Sequence, residues 1–132
     1  MPLYRCMVSE NLADYAQRLE ISREVTRIHC EITGAPPTFV HTFFSEDAAG
    51  ELPQGTAAVL FGSIRAGRTT QQKDQLASDL NASVARILEV DRTGVTVATV
   101  DLPARWVMEG GAVLPEPGEE EAWLAQHGHE KT

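Results

Sequence analysis

The first fifty residues alternate between strand-like and helix-like patterns of apolar positions. Residues 2–8 predict a short strand, and residues 38–46, rich in β-branched and aromatic side chains, predict a second one. Between them, residues 9–34 predict a helix that Ser9 caps and Gly34 ends. The apolar positions of this helix form two series that step by three and four, with the face slightly rotated between them: Leu12, Tyr15 and Leu19, then Ile21, Val25, Ile28 and Ile32.

The same order of elements returns in the next fifty residues. Residues 56–64 predict a strand, residues 69–90 a helix capped by Thr69 or Thr70, and residues 95–102 another strand. The apolar face of this second helix is Leu76, Leu80, Val84 and Ile87. Each helix therefore joins two strands.

This order predicts an α/β fold of two tandem β-α-β units, residues 2–50 and 51–102, within a single domain. A crossover helix implies that the two strands of each unit are parallel. One four-stranded sheet with both helices on one face is the compact solution. The strands of the second unit are apolar on both sides, so we expect another subunit to cover the second face of the sheet.

Residues 103–132 form a C-terminal tail rich in proline, glycine and glutamate. Its two tryptophans, Trp106 and Trp123, predict a docked segment that extends to about Trp123 and frays beyond it. The glutamate run at residues 119–121 predicts a solvated face.

Composition narrows the class of protein. The net charge of −8 argues against nucleic acid as a partner, and no apolar run is long enough to span a membrane. No basic-then-apolar leader is present, and Cys6 and Cys30 are too few for a disulfide framework. We therefore expect a globular cytoplasmic protein with reduced thiols.

The segment GSIRAGRTT, residues 62–70, is the strongest candidate binding element. It joins a predicted strand to a predicted helix, so Arg65 and Arg68 lie near a helix N-terminus, which favours anions. Two guanidinium groups also match carboxylate oxygens, although two surface arginines in a polar loop would give the same letters. A nucleotide-binding loop is excluded because the required lysine is missing. The segment predicts a site for a small carboxylate.

Three further residues are candidates for chemistry. Pro2 becomes a secondary amine if the initiator methionine is removed, although proline is also common near chain starts for no functional reason. His29 is either a packed helix residue or a site residue, and its neighbour Cys30 points elsewhere on the helix. Glu109, among apolar residues before two glycines, is either an exposed turn residue or a desolvated base of raised pKa. No metal site is predicted, because His127 and His129 lack a third ligand.

The order and spacing of several short motifs carry a family resemblance. They are M-P-x-Y followed by V-S, His29 followed by T-G, the segment FFSEDAAG, R-x-G-R at 65–68, P-A and E-x-G within 103–111, and L-P-x-P-G at 114–118. On these residues the chain resembles the tautomerase superfamily, in the branch of cis-3-chloroacrylic acid dehalogenase. The resemblance runs from residue 1 to about residue 118.

The resemblance implies a trimeric enzyme of two β-α-β units per chain that acts on small 2-keto or unsaturated carboxylic acids without a metal or organic cofactor. By position, the role of the amino-terminal proline catalyst falls on Pro2 after removal of Met1. Arg65 and Arg68 bind the substrate carboxylate, His29 assists binding, and Glu109 activates water.

One position departs from the pattern. Efficient dehalogenases of this branch carry a tyrosine in the last strand, where this chain has Ala98, and Tyr4 or Tyr15 would have to replace it. This favours a tautomerase. The alternatives are a cofactor-free hydratase or cis-3-haloacrylate dehalogenase that uses Glu109, and a non-catalytic trimeric module that binds small acids. A tail that binds partners through residues 119–121 is a weaker possibility.

Overall fold

The computed structural model of the chain describes residues 1–127. Its main sheet has the strand order β2-β1-β3-β4. The strands are β1 (Leu3–Ser9), β2 (His41–Asp47), β3 (Ala58–Arg65) and β4 (Val95–Leu102). The helices of the two units are α1 (Tyr15–Thr33) and α2 (Thr70–Leu88). Strand β1 is parallel to β2, and β3 is parallel to β4, which confirms the two predicted β-α-β units. The units join through the antiparallel pair β1–β3.

Helix α1 begins later than the pattern predicted. Its N-cap is Asp14, whose side chain accepts from the Gln17 N–H while Gln17 bonds back to the Asp14 N–H. The prediction that Ser9 caps the helix is wrong, because Ser9 ends β1 and Asn11 adopts a left-handed conformation (φ 63°) that a helix cannot contain. Tyr15 is therefore exposed rather than part of the apolar face.

Leu19 of the predicted apolar face is also 37% exposed, whereas the signals for the end of α1 and for α2 are confirmed. Gly34 ends α1 in the left-handed conformation (φ 77°). Thr69 caps α2, again with a reciprocal bond to the residue three positions later. The predicted apolar positions of α2 are all buried: Leu76, Leu80, Val84 and Ile87. They pack with the buried face of α1 on one side of the sheet.

Alternate residues of β1 and β3 line the core beneath the helices. Tyr4 is fully buried there, and it faces Gly62 directly across the β1–β3 pair. A Cβ atom at position 62 would lie 2.5 Å from the Tyr4 ring. Gly62 therefore provides the space that the Tyr4 ring occupies.

The opposite face of the sheet, here called the open face, carries exposed apolar side chains: Leu3, Phe43, Phe61 and Val100. Ala98 lies on the same face, in register with Phe61 on the neighbouring strand. The sequence predicted that another subunit covers this surface, and its apolar composition fits that prediction.

The tail folds over one end of the sheet. It contains a hairpin of β5 (Met108–Glu109) and β6 (Ala112–Val113), followed by α3 (Glu120–His127). Trp123 of α3 is buried, and its indole N–H donates to the Val113 carbonyl at 2.8 Å, whereas Trp106 is 67% exposed and does not anchor the tail. The fraying predicted beyond Trp123, and with it His129, falls largely outside the described residues. Within residues 1–127, no helix combines the length and apolar character needed to cross a membrane.

Candidate active site

The start of the chain is held inside the protein. Met1 and Pro2 are both buried, and the Pro2 carbonyl accepts a hydrogen bond from the His41 N–H at 3.0 Å. The Met1 ammonium donates to the Phe39 carbonyl at 2.6 Å and to the carboxylate of Glu109. The amino-terminal segment therefore lies where β1, β2 and the tail meet.

Glu109 reaches this point because it ends β5 just before a tight turn. Gly110 and Gly111 both have positive φ (60° and 81°), as a two-residue hairpin turn requires. One carboxylate oxygen contacts the ammonium, and the other lies 3.3 Å from His41 Nε2. The local sequence alone, with its two glycines, does not reveal this contact with His41.

The expectation of a raised pKa for Glu109 is wrong for this state of the chain. Burial raises the pKa of the carboxyl, but the hydrogen bond from the ammonium and the contact with His41 outweigh burial and hold it below its usual range. Glu109 is therefore an ionised carboxylate, which keeps it able to accept a proton.

Arg65 is the last residue of β3 and is only 1% exposed. Its Nη1 donates to the Pro115 carbonyl and its Nη2 to Glu120, both at 2.9 Å. The guanidinium carbon lies 5.3 Å from the centre of the Phe39 ring. The Arg65 Nε–H has no hydrogen-bond partner among residues 1–127.

Glu120 corrects the prediction of a solvated glutamate run. Its carboxylate is paired with Arg65, and its pKa is lowered because that hydrogen bond outweighs the effect of burial. Arg65 thus ties α3 to the sheet, and its Nε–H lacks a partner in the described part of the chain.

Arg68 lies in the connection between β3 and α2. Its Nη1 donates to the carbonyl of Thr33, the last residue of α1, at 3.1 Å. Burial and the nearby positive charge of Arg65 lower the pKa of Arg68. Its Nε–H is also buried without a partner in the described part of the chain. The two guanidinium groups, each with an Nε–H that lacks a partner, are therefore candidates to bind an anion.

His29 and Tyr4 complete the buried polar group. His29 Nδ1 lies 2.9 Å from the Tyr4 hydroxyl, and both side chains are inaccessible to solvent. Burial, followed by the positive charges of Arg68 and Arg65, lowers the pKa of His29 to about 3. Burial also raises the pKa of Tyr4. Both groups are therefore uncharged near pH 7. They share a hydrogen bond and do not form an ion pair.

The structure thus brings all five sequence-predicted residues to one end of the sheet. Glu109 contacts the ammonium of Met1, which precedes Pro2, and Arg65 lies over Phe39, whose carbonyl accepts from the same ammonium. Ala98 lies on the open face, and Tyr15 begins α1, about 20 Å along the helix from His29. Neither contributes to this site within one chain.

Sequence reasoning missed four contributors: Tyr4 as the partner of His29, Phe39, His41 and Glu120. Each of the four contacts its partner across a long stretch of sequence. Short-range spacing patterns do not predict contacts of this kind. Among residues 1–127, no three His, Cys, Asp or Glu side chains are grouped as a metal would require.

The neutral state of His29 predicts a specific dependence of stability on pH. Between pH 6.5 and about 3, the unfolded chain binds a proton at this residue and the folded chain does not. The free energy of unfolding should therefore fall as the pH falls below 6.5, by up to about 1.4 kcal/mol per pH unit from this residue. Urea denaturation of the wild type and of His29→Gln at pH 6 and pH 5 tests this. The wild type should lose more stability over that interval, and equal losses in the two proteins would contradict a neutral buried His29.

Comparisons with protein families and with solved structures relate the chain to one family. The family model described as putative oxalocrotonate tautomerase enzyme matches residues 1–128. The chain shares 33% sequence identity with N1, a member of the cis-3-chloroacrylic acid dehalogenase family whose crystal structure is known. The match covers 98% of this chain and 97% of that one, and the TM-score between the two structures is 0.89. The comparison with curated proteins gives no significant match.

Two more distant structures share the fold. A fused 4-OT symmetric trimer is 24% identical over 86% of this chain and 95% of that one, with a TM-score of 0.77. The FG41 malonate semialdehyde decarboxylase inhibited by 3-bromopropiolate is 18% identical over 94% and 98% of the two chains, with a TM-score of 0.72. The fold is thus shared with proteins described by several different activities.

Proposed function

The chain belongs to the tautomerase superfamily, in the branch of cis-3-chloroacrylic acid dehalogenase, and from this membership we propose that it is a tautomerase of small 2-keto or unsaturated carboxylic acids. The observation that carries the proposal is the burial of Pro2 at the same end of the sheet as two guanidinium groups that retain unfilled donors. This arrangement suits a basic nitrogen beside a bound carboxylate.

In the proposed mechanism Arg68 and the remaining donor of Arg65 bind the substrate carboxylate. Their positive charges also stabilise the negative oxygen that develops when an adjacent carbonyl becomes an enolate. Both Nε–H groups are buried, so neighbouring groups must move before the substrate carboxylate can reach them.

Pro2 supplies the proton-transfer group once Met1 has been removed. Its neutral nitrogen takes the proton from C3 of the 2-keto acid, the C–H electron pair becomes the C2–C3 double bond, and the carbonyl electron pair moves to oxygen. The proton then returns to another atom, such as that oxygen, which gives the enol. Burial and the positive charges of Arg65 and Arg68 favour the neutral amine, and they oppose the carboxylate of Glu109, which favours the cation.

A second candidate function rests on Glu109. Its carboxylate lies against the amino terminus of the chain, and a carboxylate there can take a proton from water. The water oxygen would bond to C3 of an unsaturated acid while a protonated Pro2 gives its proton to C2. If C3 carries a halogen, the hydrated carbon then loses hydrogen halide. This is a hydratase or a cis-3-haloacrylate dehalogenase.

Two assays on protein shown by intact mass to lack Met1 separate these functions. The first follows conversion of the enol of a short 2-keto acid to its keto form, and the second follows halide release from a cis-3-haloacrylate. We expect the first reaction to have the higher kcat/KM. Faster halide release would favour the second function, and tight carboxylate binding without either reaction would identify a non-catalytic binding module.

We also propose that three copies assemble through the open face. Its side chains, including Phe43 and Phe61, form an apolar surface whose exposure to water is energetically unfavourable. A related structure is described as a symmetric trimer. Light scattering in solution should give three times the mass of one chain, and a monomer would contradict the proposal.

A cytoplasmic location is proposed from the cysteines. Cys6 and Cys30 are both unpaired thiols, which suits a reducing compartment. Fractionation of cells that make the protein would test this, and recovery outside the cytoplasm would contradict it.

A further inference from the structure

The guanidinium group of Arg65 already holds a carboxylate from its own chain. Its Nη2 donates to Glu120 and its Nη1 to the Pro115 carbonyl, both at 2.9 Å, and the Arg65 side chain is inaccessible to solvent. The second carboxylate oxygen of Glu120 accepts from the Gly118 N–H at 2.6 Å. A substrate carboxylate that approaches Arg65 therefore meets donors that are already occupied.

The negative charge of Glu120 acts on both arginines of the proposed carboxylate site. Burial and the charge of Arg65 lower the pKa of Arg68, whereas the charge of Glu120 raises it. Burial raises the pKa of Glu120, but the hydrogen bond from Arg65 outweighs burial and lowers it, so Glu120 is an anion near pH 7. The two arginines thus face a group of the same chemistry as the one they would bind.

We propose that Glu120 is an internal competitor of the substrate, and that the substrate carboxylate takes its place at Arg65 when the start of α3 moves away. This inference rests on the proposed function, because it takes the two arginines as the carboxylate site. Glu120 acts through Arg65 and touches no reacting atom. It should therefore set the affinity for the substrate and leave the rate of the bound state unchanged.

The position of Glu120 in the tail allows this exchange to be followed. Glu120 is the first residue of α3, and its side chain is 12% exposed, so it lies at the outer end of the ion pair. Trp123 follows three residues later in the same helix, packs edge to face on Phe39 with ring centroids 5.4 Å apart, and donates to the Val113 carbonyl. A displacement of the start of α3 therefore moves Trp123 against the Phe39 ring.

The first test compares Glu120→Gln with Glu121→Gln, a matched control at an exposed neighbouring position. Calorimetric titration of 2-oxobutanoate into protein without Met1 gives the affinity of each. Glu120→Gln should bind about tenfold to a hundredfold more tightly than the wild type, because the competing hydrogen bond to a charged group is weakened. In steady-state kinetics its KM should fall while kcat stays the same. Binding no tighter than that of Glu121→Gln would overturn the proposal.

The second test keeps Glu120 in place, so it does not depend on how well that variant folds. The chain has two tryptophans, and Trp106→Phe leaves the buried Trp123 as the single fluorescent reporter of α3. Saturating 2-oxobutanoate should shift the emission of Trp123 to longer wavelength, because the ring becomes more exposed to water. Butan-2-one, which lacks the carboxylate, should not. Unchanged emission at saturation with the acid would overturn the displacement of α3.

The outcomes keep the two proposals apart. Turnover with equal affinity in Glu120→Gln and Glu121→Gln would retain the tautomerase and overturn the role of Glu120. Tighter binding in Glu120→Gln without turnover in any protein would retain the competitor and contradict the tautomerase. If 2-oxobutanoate binds to none of these proteins, both proposals are wrong.

Discussion

Replacing Arg68 with alanine is expected to lower kcat/KM by about thirtyfold to several thousandfold. Removing one partner of a buried, charge-assisted hydrogen bond costs about 2 to 5 kcal/mol, and this range converts to that loss in rate. Arg68 is the better test than Arg65, because Arg65 also ties Pro115 and Glu120 to the sheet and its loss would disturb the tail.

The control for this variant is Arg105→Ala. Arg105 is exposed, so its removal changes the net charge equally without altering the site. Arg68→Lys keeps the charge but not the planar fork, and should fall between the wild type and Arg68→Ala. Steady-state kinetics on the preferred acid provide the measurement. A value of kcat/KM near that of Arg105→Ala would contradict the carboxylate site.

Blocking the nitrogen of Pro2 is expected to lower kcat by about a hundredfold to ten-thousandfold, the range typical of a lost acid–base group. A short extension that ends in a protease site just before Pro2 turns its nitrogen into an amide, which has no proton to give and no basic electron pair. The extension leaves every residue from Pro2 onwards unchanged, but it takes the buried place of Met1, so circular dichroism before and after cleavage checks that the fold is the same.

Cleavage of the same extension provides the matched control. Protease treatment exposes the amine of Pro2 without any change in sequence, and activity should return in proportion to the cleaved fraction seen by mass spectrometry. Equal activity before and after cleavage would show that Pro2 is not the proton-transfer group. Pro2→Ala after Met1 removal retains a primary amine and should keep part of the activity.

The elements of the two units could be predicted because each depends on nearby residues. The spacing of Leu76, Leu80, Val84 and Ile87 is visible within one helix, and Gly34 carries its own signal as a residue able to adopt positive φ. The start of α1 was predicted wrongly because it does not depend on a periodic pattern. Its boundary depends on the backbone conformation of Asn11, and several residue types could adopt that conformation.

The site could be predicted only as separate candidates. The two arginines stand three apart in one loop, so their proximity follows from the sequence. The contacts of Glu109 with His41 and of Arg65 with Glu120 join residues 68 and 55 positions apart. These contacts arise because the tail folds over one end of the sheet. The strands and the helix of the tail are too short to show a clear periodic pattern in the sequence. The sign of the Glu109 pKa shift depends on the hydrogen bond from the Met1 ammonium and on the contact with His41, so the expectation from burial alone was wrong.

The close fit of Gly62 beneath Tyr4 has a consequence for the history of the family. A Cβ atom at position 62 would lie only 2.5 Å from the ring, so Gly62 cannot gain a side chain while Tyr4 keeps its place. Substitution at the two positions should therefore be correlated among relatives. A lineage that gains a side chain at position 62 must first, or at the same time, shorten position 4, and it then loses the hydroxyl that bonds to His29. Gly62 therefore helps to preserve Tyr4, whose hydroxyl bonds to His29.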